Sequence, residues 1–303
     1  MMELVDWLKA QYGFKQVEFI NEAVILTDQG RKRIRSWSDS SLLEWHVEWR
    51  DRCHYTPIVL TDRMIRTKEE EAAAKWKEQW ITLHDEIEEV YPQLDHEKAW
   101  GMLMGLMITH GLEERQLERV YKEELPSYEW NPMLLNGLRD DIQDQLIRYH
   151  KEALVRSKKA ERIRSQQRNV KQPLLDLFQS PDQARRIYEV LIWRGTNEQA
   201  HLGYQSLRQF LINWQIVNGT KSLEKVIASI GHTEGFNKDQ ALLFIVEVLE
   251  PYEWAALTRS LMSNESERQI EEKLTKMSNE WEAARQLVSI LGRWIDDQKK
   301  VVT

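Results

Sequence analysis

Residues 17–51 read VEFINEAVILTDQGRKRIRSWSDSSLLEWHVEWRD. Val17, Phe19, the run Ala23-Val24-Ile25-Leu26 and Ile34 have strand character, and Thr27-Asp28-Gln29-Gly30 is a turn signal between two strands. The period then changes. Ser38, Asp39, Ser40 and Ser41 offer helix N-caps, and Leu42, Leu43, Trp45, His46 and Trp49 follow at helical spacing. On the N-terminal side, residues 1–12 form a short amphipathic pattern with Leu4, Trp7 and Leu8 on one helix face. On the other side, the chain after Pro57 reads as one strand or two with a charged turn near 68–71, and KWKEQWITL (75–83) reads as one further strand. Residues 1–83 are therefore expected to form a small antiparallel sheet with one inserted helix.

Residues 84–303 have a different texture. Helical patterns cover 96–111, where Gly111 is a plausible C-cap, then 136–168 and 181–193, the last with Pro181 at its first position. Residues 239–300 hold several more helices. QFLINWQIV (209–217) is the exception and reads as a strand inside a helical lobe. The fold class expected is α+β: a sheet-based N-lobe, then a large, mostly helical C-lobe with one embedded loop and strand. That is the layout of bilobal kinases.

Composition narrows the function. Of the 303 residues, 42% are hydrophobic, enough for a sizeable core, and the formal net charge of −7 gives no reason to expect a nucleic acid or an anionic membrane as partner. The single cysteine, Cys53, excludes an internal disulfide and a cysteine-based zinc cluster. No run is long and apolar enough for a membrane helix, and the N-terminus is not patterned as a signal peptide. The thirteen tryptophans against six phenylalanines read as core filling by large rings. Neither a GxGxxG nor a GxxxxGK phosphate loop occurs, HEKAW at 96–100 lacks the second zinc histidine, and no GxSxG elbow is present. Residues 148–171 carry nine Lys and Arg against two Glu, a charged helix face or an anion-docking surface.

Several patches together carry a resemblance: LTDQG followed by RIRSW and LLEWHVEWRDR, the segment PIVLTDRMIRTKEEE from Pro57, the helix HEKAWGMLMGLMITHG, and RGTNEQAH with FLINW downstream. In their order and spacing they resemble the superfamily of aminoglycoside phosphotransferases and choline kinases, and within it the CotS/YutH-like endospore coat branch. In active members of that superfamily a loop reads His-Gly-Asp, four residues, Asn, and a following strand reads Ile-Asp-Trp. The loop Asp orients the substrate hydroxyl, and the Asn and strand Asp hold Mg²⁺ against the charge developing on the transferred phosphoryl group. A strand Lys, steadied by a helix Glu, grips the nucleotide phosphates.

Carried onto this sequence, the resemblance places His-Gly-Asp at Arg194-Gly195-Thr196, the Asn at His201, and the strand Asp at Asn213. It places the Lys at Arg35, with Arg33 as the other option, and its partner at Glu44 or Glu48. Thr196 cannot serve as a base at neutral pH, and a neutral imidazole is a poor ligand for Mg²⁺. The resemblance thus implies a pseudokinase: no catalytic residue, a vestigial nucleotide clamp at Arg35, Glu44 and Glu48, no bound metal, and neither ATP nor Mg²⁺ expected as cofactor. It further implies other proteins, those of the coat, as partners, and the mother-cell cytoplasm or the spore coat as location. Two other readings stand beside it. One is an active small-molecule phosphotransferase whose metal is held by Asp28, Asp39, Asp62 or a C-lobe acid. The other is a helical scaffold without kinase ancestry, which would lack the N-terminal sheet.

Overall fold

The computed structural model of the chain describes residues 2–113, 117, 120, 121, 131, 135–263 and 266–301. Helix α1 (Met2–Tyr12) leads into strands β1 (Val17–Phe19), β2 (Val24–Thr27) and β3 (Gly30–Trp37), with the β2–β3 turn where Thr27-Asp28-Gln29-Gly30 calls for it. Thr27 fixes that turn: its hydroxyl donates to the Gly30 carbonyl and accepts from the Gln29 amide. Helix α2 (Ser40–Arg52) starts at Asp39, whose carboxylate accepts from the amides of Ser41 and Leu42. KWKEQWITL is two strands, not one. β5 (Ala74–Trp76) and β6 (Gln79–Asp85) are joined through Lys77, which takes φ +55°. The sheet order is β1-β2-β3-β6-β5, antiparallel throughout. Its presence removes the reading as an all-helical scaffold.

The segment after Pro57 departs from expectation. Strand β4 (Val59–Thr61) does not join this sheet. It pairs in parallel with β9 (Val190–Trp193), which pairs in turn with β8 (Ala184–Ile187). Residues 181–193 are therefore not a helix. The capping signal at Ser180-Pro181 is real, but it supports a single 3₁₀ turn, Pro181–Gln183. The alternating and β-branched run that follows then turns back through Tyr188 as a hairpin. A third, two-stranded sheet pairs β7 (Leu174–Leu175) with β10 (His201–Leu202).

Helices α3 (Glu97–Gly111), α4 (Asp140–Gln166), α5 (Gln205–Ile230), α6 (Lys238–Leu249), α7 (Tyr252–Leu261) and α8 (Glu267–Val301) make up the rest. QFLINWQIV belongs to α5, not to a strand. Leu207, Phe210, Leu211 and Trp214 recur at i, i+3, i+4 and i+7, and all four are buried. Gly111 is the last residue of α3 rather than a C-cap, and a Cβ there would stand 2.5 Å from the Leu174 carbonyl oxygen. The tryptophans fill the core. Trp100, Trp193 and Trp214 are buried, and the Trp100 ring meets those of Trp193, Phe210 and Trp214 at centroid distances of 6.2, 5.5 and 5.5 Å. No helix among the described residues is long and apolar enough to cross a membrane.

Candidate functional site

Where the two parts of the chain meet, ionisable side chains from six elements or the residues just after them converge. In β3 the side chains of Arg33 and Arg35 lie two residues apart and so share a face. The opposite residues in β6 are His84 and Thr82. Helix α2 contributes His46, Trp49 and Arg50, at i, i+3 and i+4. Asp62 follows β4, Glu86 follows β6, Asp176 follows β7, and Arg194, Gly195 and Thr196 follow β9.

Asp62 is the centre. Its Oδ2 accepts from Arg33 Nη2 at 2.6 Å, and its Oδ1 from Arg50 Nε and the Gly195 amide, each at 3.1 Å. Arg35 Nη2 lies 4.0 Å away. A chain of ion pairs runs on from there. Arg33 Nη1 meets Glu86 Oε2 at 3.2 Å, and Arg194 Nη2 meets Glu86 Oε1 at 2.7 Å. Arg50 is fully buried and also donates to the Thr196 carbonyl at 2.6 Å, with its guanidinium 5.1 Å from the Trp49 ring. Gly195 is required by this packing, because a Cβ there would stand 2.5 Å from Arg50 Nη2 and 2.8 Å from the Trp49 ring. Thr196 is tied on its other side: its amide donates to Asp176 Oδ2 at 2.9 Å, and its hydroxyl donates to Asp176 Oδ1.

The electrostatics follow from burial and neighbours. Burial alone would raise the Asp62 carboxyl, but His84 and the three arginines around it overcome that and hold it below the usual carboxylate range. Asp176 goes the other way. Burial pushes its carboxyl up in spite of Arg50 and the two Thr196 hydrogen bonds. Burial also lowers the Arg35 guanidinium to about 10. The His84 imidazole is pushed down to about 3 by burial and by the flanking arginines, against the pull of Asp62, and His46 is lowered well below its ordinary value by burial and Arg50. Both rings sit in hydrogen bonds that suit a neutral imidazole. His84 Nδ1 faces the Asp62 carbonyl at 2.8 Å while Nε2 faces the Thr82 hydroxyl at 3.1 Å, and His46 Nδ1 accepts from Trp49 Nε1. Arg33 Nε and Arg35 Nη1 are buried with no hydrogen-bond partner.

The sequence-derived sites scatter. Arg194, Gly195, Thr196, Arg33 and Arg35 are in this cluster. His201 lies in β10, its ring 4.5 Å from that of Tyr121. Asn213 is on the exposed face of α5 and accepts from Gln209 at 3.3 Å, so it follows no catalytic loop as a strand residue. Arg35 lies within ion-pairing distance of the Asp62 carboxylate, and Glu44 and Glu48 line a groove with Leu43, Val47 and Trp80. Asp28 accepts from the amides of Lys15 and Gln16, and Asp39 caps α2, so each has a local structural task. Among the described residues no group of three or more His, Cys, Asp or Glu side chains is placed to hold a metal ion.

The order "loop, then strand" does occur, one element earlier than the resemblance placed it. Leu174-Leu175-Asp176 begins a loop, four residues separate Asp176 from Pro181, and the hairpin that follows ends at Trp193-Arg194. Asp176 was missed. Its signal was modest: it is the one acidic residue between Gln167 and Pro181.

No protein-family model and no curated protein matches the chain. Solved structures do. The chain is similar to a crystal structure of an aminoglycoside phosphotransferase from Alicyclobacillus acidocaldarius, with a TM-score of 0.64 at 11% identity, over 97% of this chain and 96% of that one. It is also similar to the AMP-bound complex of a spectinomycin phosphotransferase, with a TM-score of 0.52 at 14% identity, over 93% of this chain and 97% of that one.

Two measurements test the cluster. Asp62→Ala leaves Arg33 and Arg50 buried without their carboxylate, and unfolding in urea is expected to show a loss of about 3–5 kcal/mol. A loss below about 1 kcal/mol removes Asp62 from the centre of the cluster. The second concerns pH. His84 and His46 are neutral in the fold but gain a proton in the unfolded chain below about pH 6.5, so acid favours unfolding. The His84 ring is expected to lower stability by about 1.4 kcal/mol per pH unit between roughly pH 6 and pH 4, and His46 acts in the same direction. His84→Gln should remove one of these two slopes in urea titrations at pH 7, 6 and 5, and an unchanged slope contradicts the assignment. The fold that positions all these groups is the bilobal, kinase-like fold of the phosphotransferases.

Proposed function

We propose that this chain is a catalytically inactive kinase-like protein that works through contacts with other proteins. The observation that carries the reading is the chain of ion pairs from Arg33 through Glu86 to Arg194, with Asp62 at its side. It ties β3 to the segments after β4, β6 and β9, in the region to which the resemblance assigns nucleotide phosphates and metal. The donor set supports it. Asp176 occupies the loop-aspartate place, but both its oxygens are taken by Thr196 and the residue is 2% exposed. The asparagine place is Pro181, which has no side-chain donor or acceptor. At the end of β9, where a metal-binding carboxylate belongs, stand Trp193, buried against Trp100, and Arg194, a cation. Such residues do not fit a magnesium–nucleotide pair. Losses spread over one catalytic unit act together, so a single compensating contact does not restore it.

One observation favours a second reading, that of an active small-molecule phosphotransferase with a rearranged metal site: an aspartate does stand in the loop, at Asp176. Calorimetric titration with ATP, with and without Mg²⁺, separates the two. No binding heat up to about millimolar nucleotide, weaker than about −4 kcal/mol, is expected. Magnesium-dependent heat that Asp176→Asn abolishes favours the active enzyme instead.

The resemblance to the CotS/YutH-like branch supports a place in sporulation, with coat proteins as partners and the mother-cell cytoplasm or the coat as location. A fluorescent fusion followed through spore formation is expected to gather on the forming spore. Signal that stays evenly diffuse removes the coat from the proposal.

A further inference from the structure

Helix α4 treats its cations in two ways. Those facing inward are paired. Arg156 bonds Glu253 at 2.6 Å and the Leu249 and Val248 carbonyls, and Arg164 bonds Glu250. Those facing outward are not. Arg148, Lys151, Lys158 and Arg162 are exposed, and among the described residues none has a carboxylate within ion-pairing distance. At 100° per residue these four and Val155 fall within one quarter of the helix circumference, a stripe about 21 Å long. Like charges three or four residues apart repel one another along a helix, so the stripe does not serve the helix that carries it. It also runs against the chain's net charge of −7.

Beside the stripe lies a groove of about 310 Å³ between α4 and α8. Its apolar lining is Val155, Leu249, Ala284 and Val288, and its charged lining includes Lys159, Glu152 and Arg285, the last paired with Glu282. Val155 is 63% exposed and belongs to both features, the one apolar residue in the middle of the basic stripe. An apolar strip beside four cations that have no carboxylate within ion-pairing distance among the described residues is complementary to one chemistry above others: a segment with apolar side chains on one face and carboxylates beside them.

We infer that the α4–α8 face docks an acidic, amphipathic segment of a partner protein, whose apolar side chains enter the groove and whose carboxylates meet Arg148, Lys151, Lys158 and Arg162. A nucleic acid is disfavoured by the absence of aromatic side chains from the stripe and by the negative charge of the chain as a whole. A flat anionic bilayer matches the cations but not a groove recessed between two helices. The face is separate from the Asp62 cluster, so the inference holds whether or not the cleft binds nucleotide.

Fluorescence anisotropy tests it on the full chain. The probe is a labelled peptide of about 16 residues, mostly Glu, with Leu at every third and fourth position to match helical spacing. Saturable binding is expected, weakening as salt rises. It should fall about tenfold or more in the triple variant Lys151→Glu, Lys158→Glu, Arg162→Glu, and likewise in Val155→Asp. Poly-glutamate of the same length should bind about tenfold more weakly, since it lacks the apolar face. These are exposed positions, and circular dichroism melts of the variants should match that of the parent chain. The inference is overturned if the peptide does not bind saturably, if the triple variant binds it as well as the parent, or if phosphatidylserine vesicles or single-stranded RNA bind more tightly than the peptide.

Discussion

The carboxylate of Asp62 is the constraint on which the meeting of the two lobes depends. One oxygen takes a guanidinium from β3, and the other takes one from α2 and a backbone amide from the chain after β9. Three elements distant in sequence thus share one buried anion. Bringing so many charges out of water is costly, and the cost is met only while every partner is in place. The cluster is accordingly an all-or-none device. Intact, it fixes α2 against the C-lobe. Without its anion, it leaves cations in a site that water barely reaches.

The backbone reinforces the same closure. β4 leaves the N-terminal region and pairs in parallel with β9, and the Asp62 amide extends that ladder to the Trp193 carbonyl at 2.9 Å. The residue that carries the ion cluster is itself pinned by a main-chain bond to the opposite lobe. The two parts of the chain are thus joined twice, by a strand ladder and by charge. Gly195 belongs to the same economy of space, for the Arg50 guanidinium occupies the volume that any side chain there would need.

Much of this architecture was legible in the sequence, and the failures have physical causes. The β2–β3 turn and the start of α2 were legible because both are local: Thr27 and Asp39 make their hydrogen bonds within a few residues. The hairpin at 184–193 was not, because Pro181 does open a helical turn, and nothing local says that the turn ends after three residues. Helix α5 was misread in its first half, where Phe210, Leu211 and Ile212 look like a strand when taken alone. Leu207 and Trp214 had to be included for the 3.6-residue period to emerge. That error moved the candidate site. With 209–217 taken as the metal-bearing strand, the preceding loop became the catalytic loop, and His201 and Asn213 were drawn in. In the structure Asp176 stands in the loop after β7, and Arg194 follows β9. Arg50 was out of reach altogether, since its anion is twelve residues away and its other acceptor, the Thr196 carbonyl, is 146 residues away.

The fate of the cations connects the two halves of the molecule. An inward cation in this chain finds a carboxylate even at the cost of burying both: Arg33 and Arg50 share Asp62, while Arg156 and Arg208 share Glu253. Those pairs hold packed elements in register, and each removes a charge from availability to a ligand. Between the lobes that process ties Arg33, Arg50 and Arg194 to Asp62 and Glu86. On the outer face of α4 it has not occurred at all. Carboxylates are not scarce, since the chain has 49 Asp and Glu against 42 Lys and Arg. The exposed cations of α4 that have no carboxylate partner among the described residues are therefore not a by-product of composition.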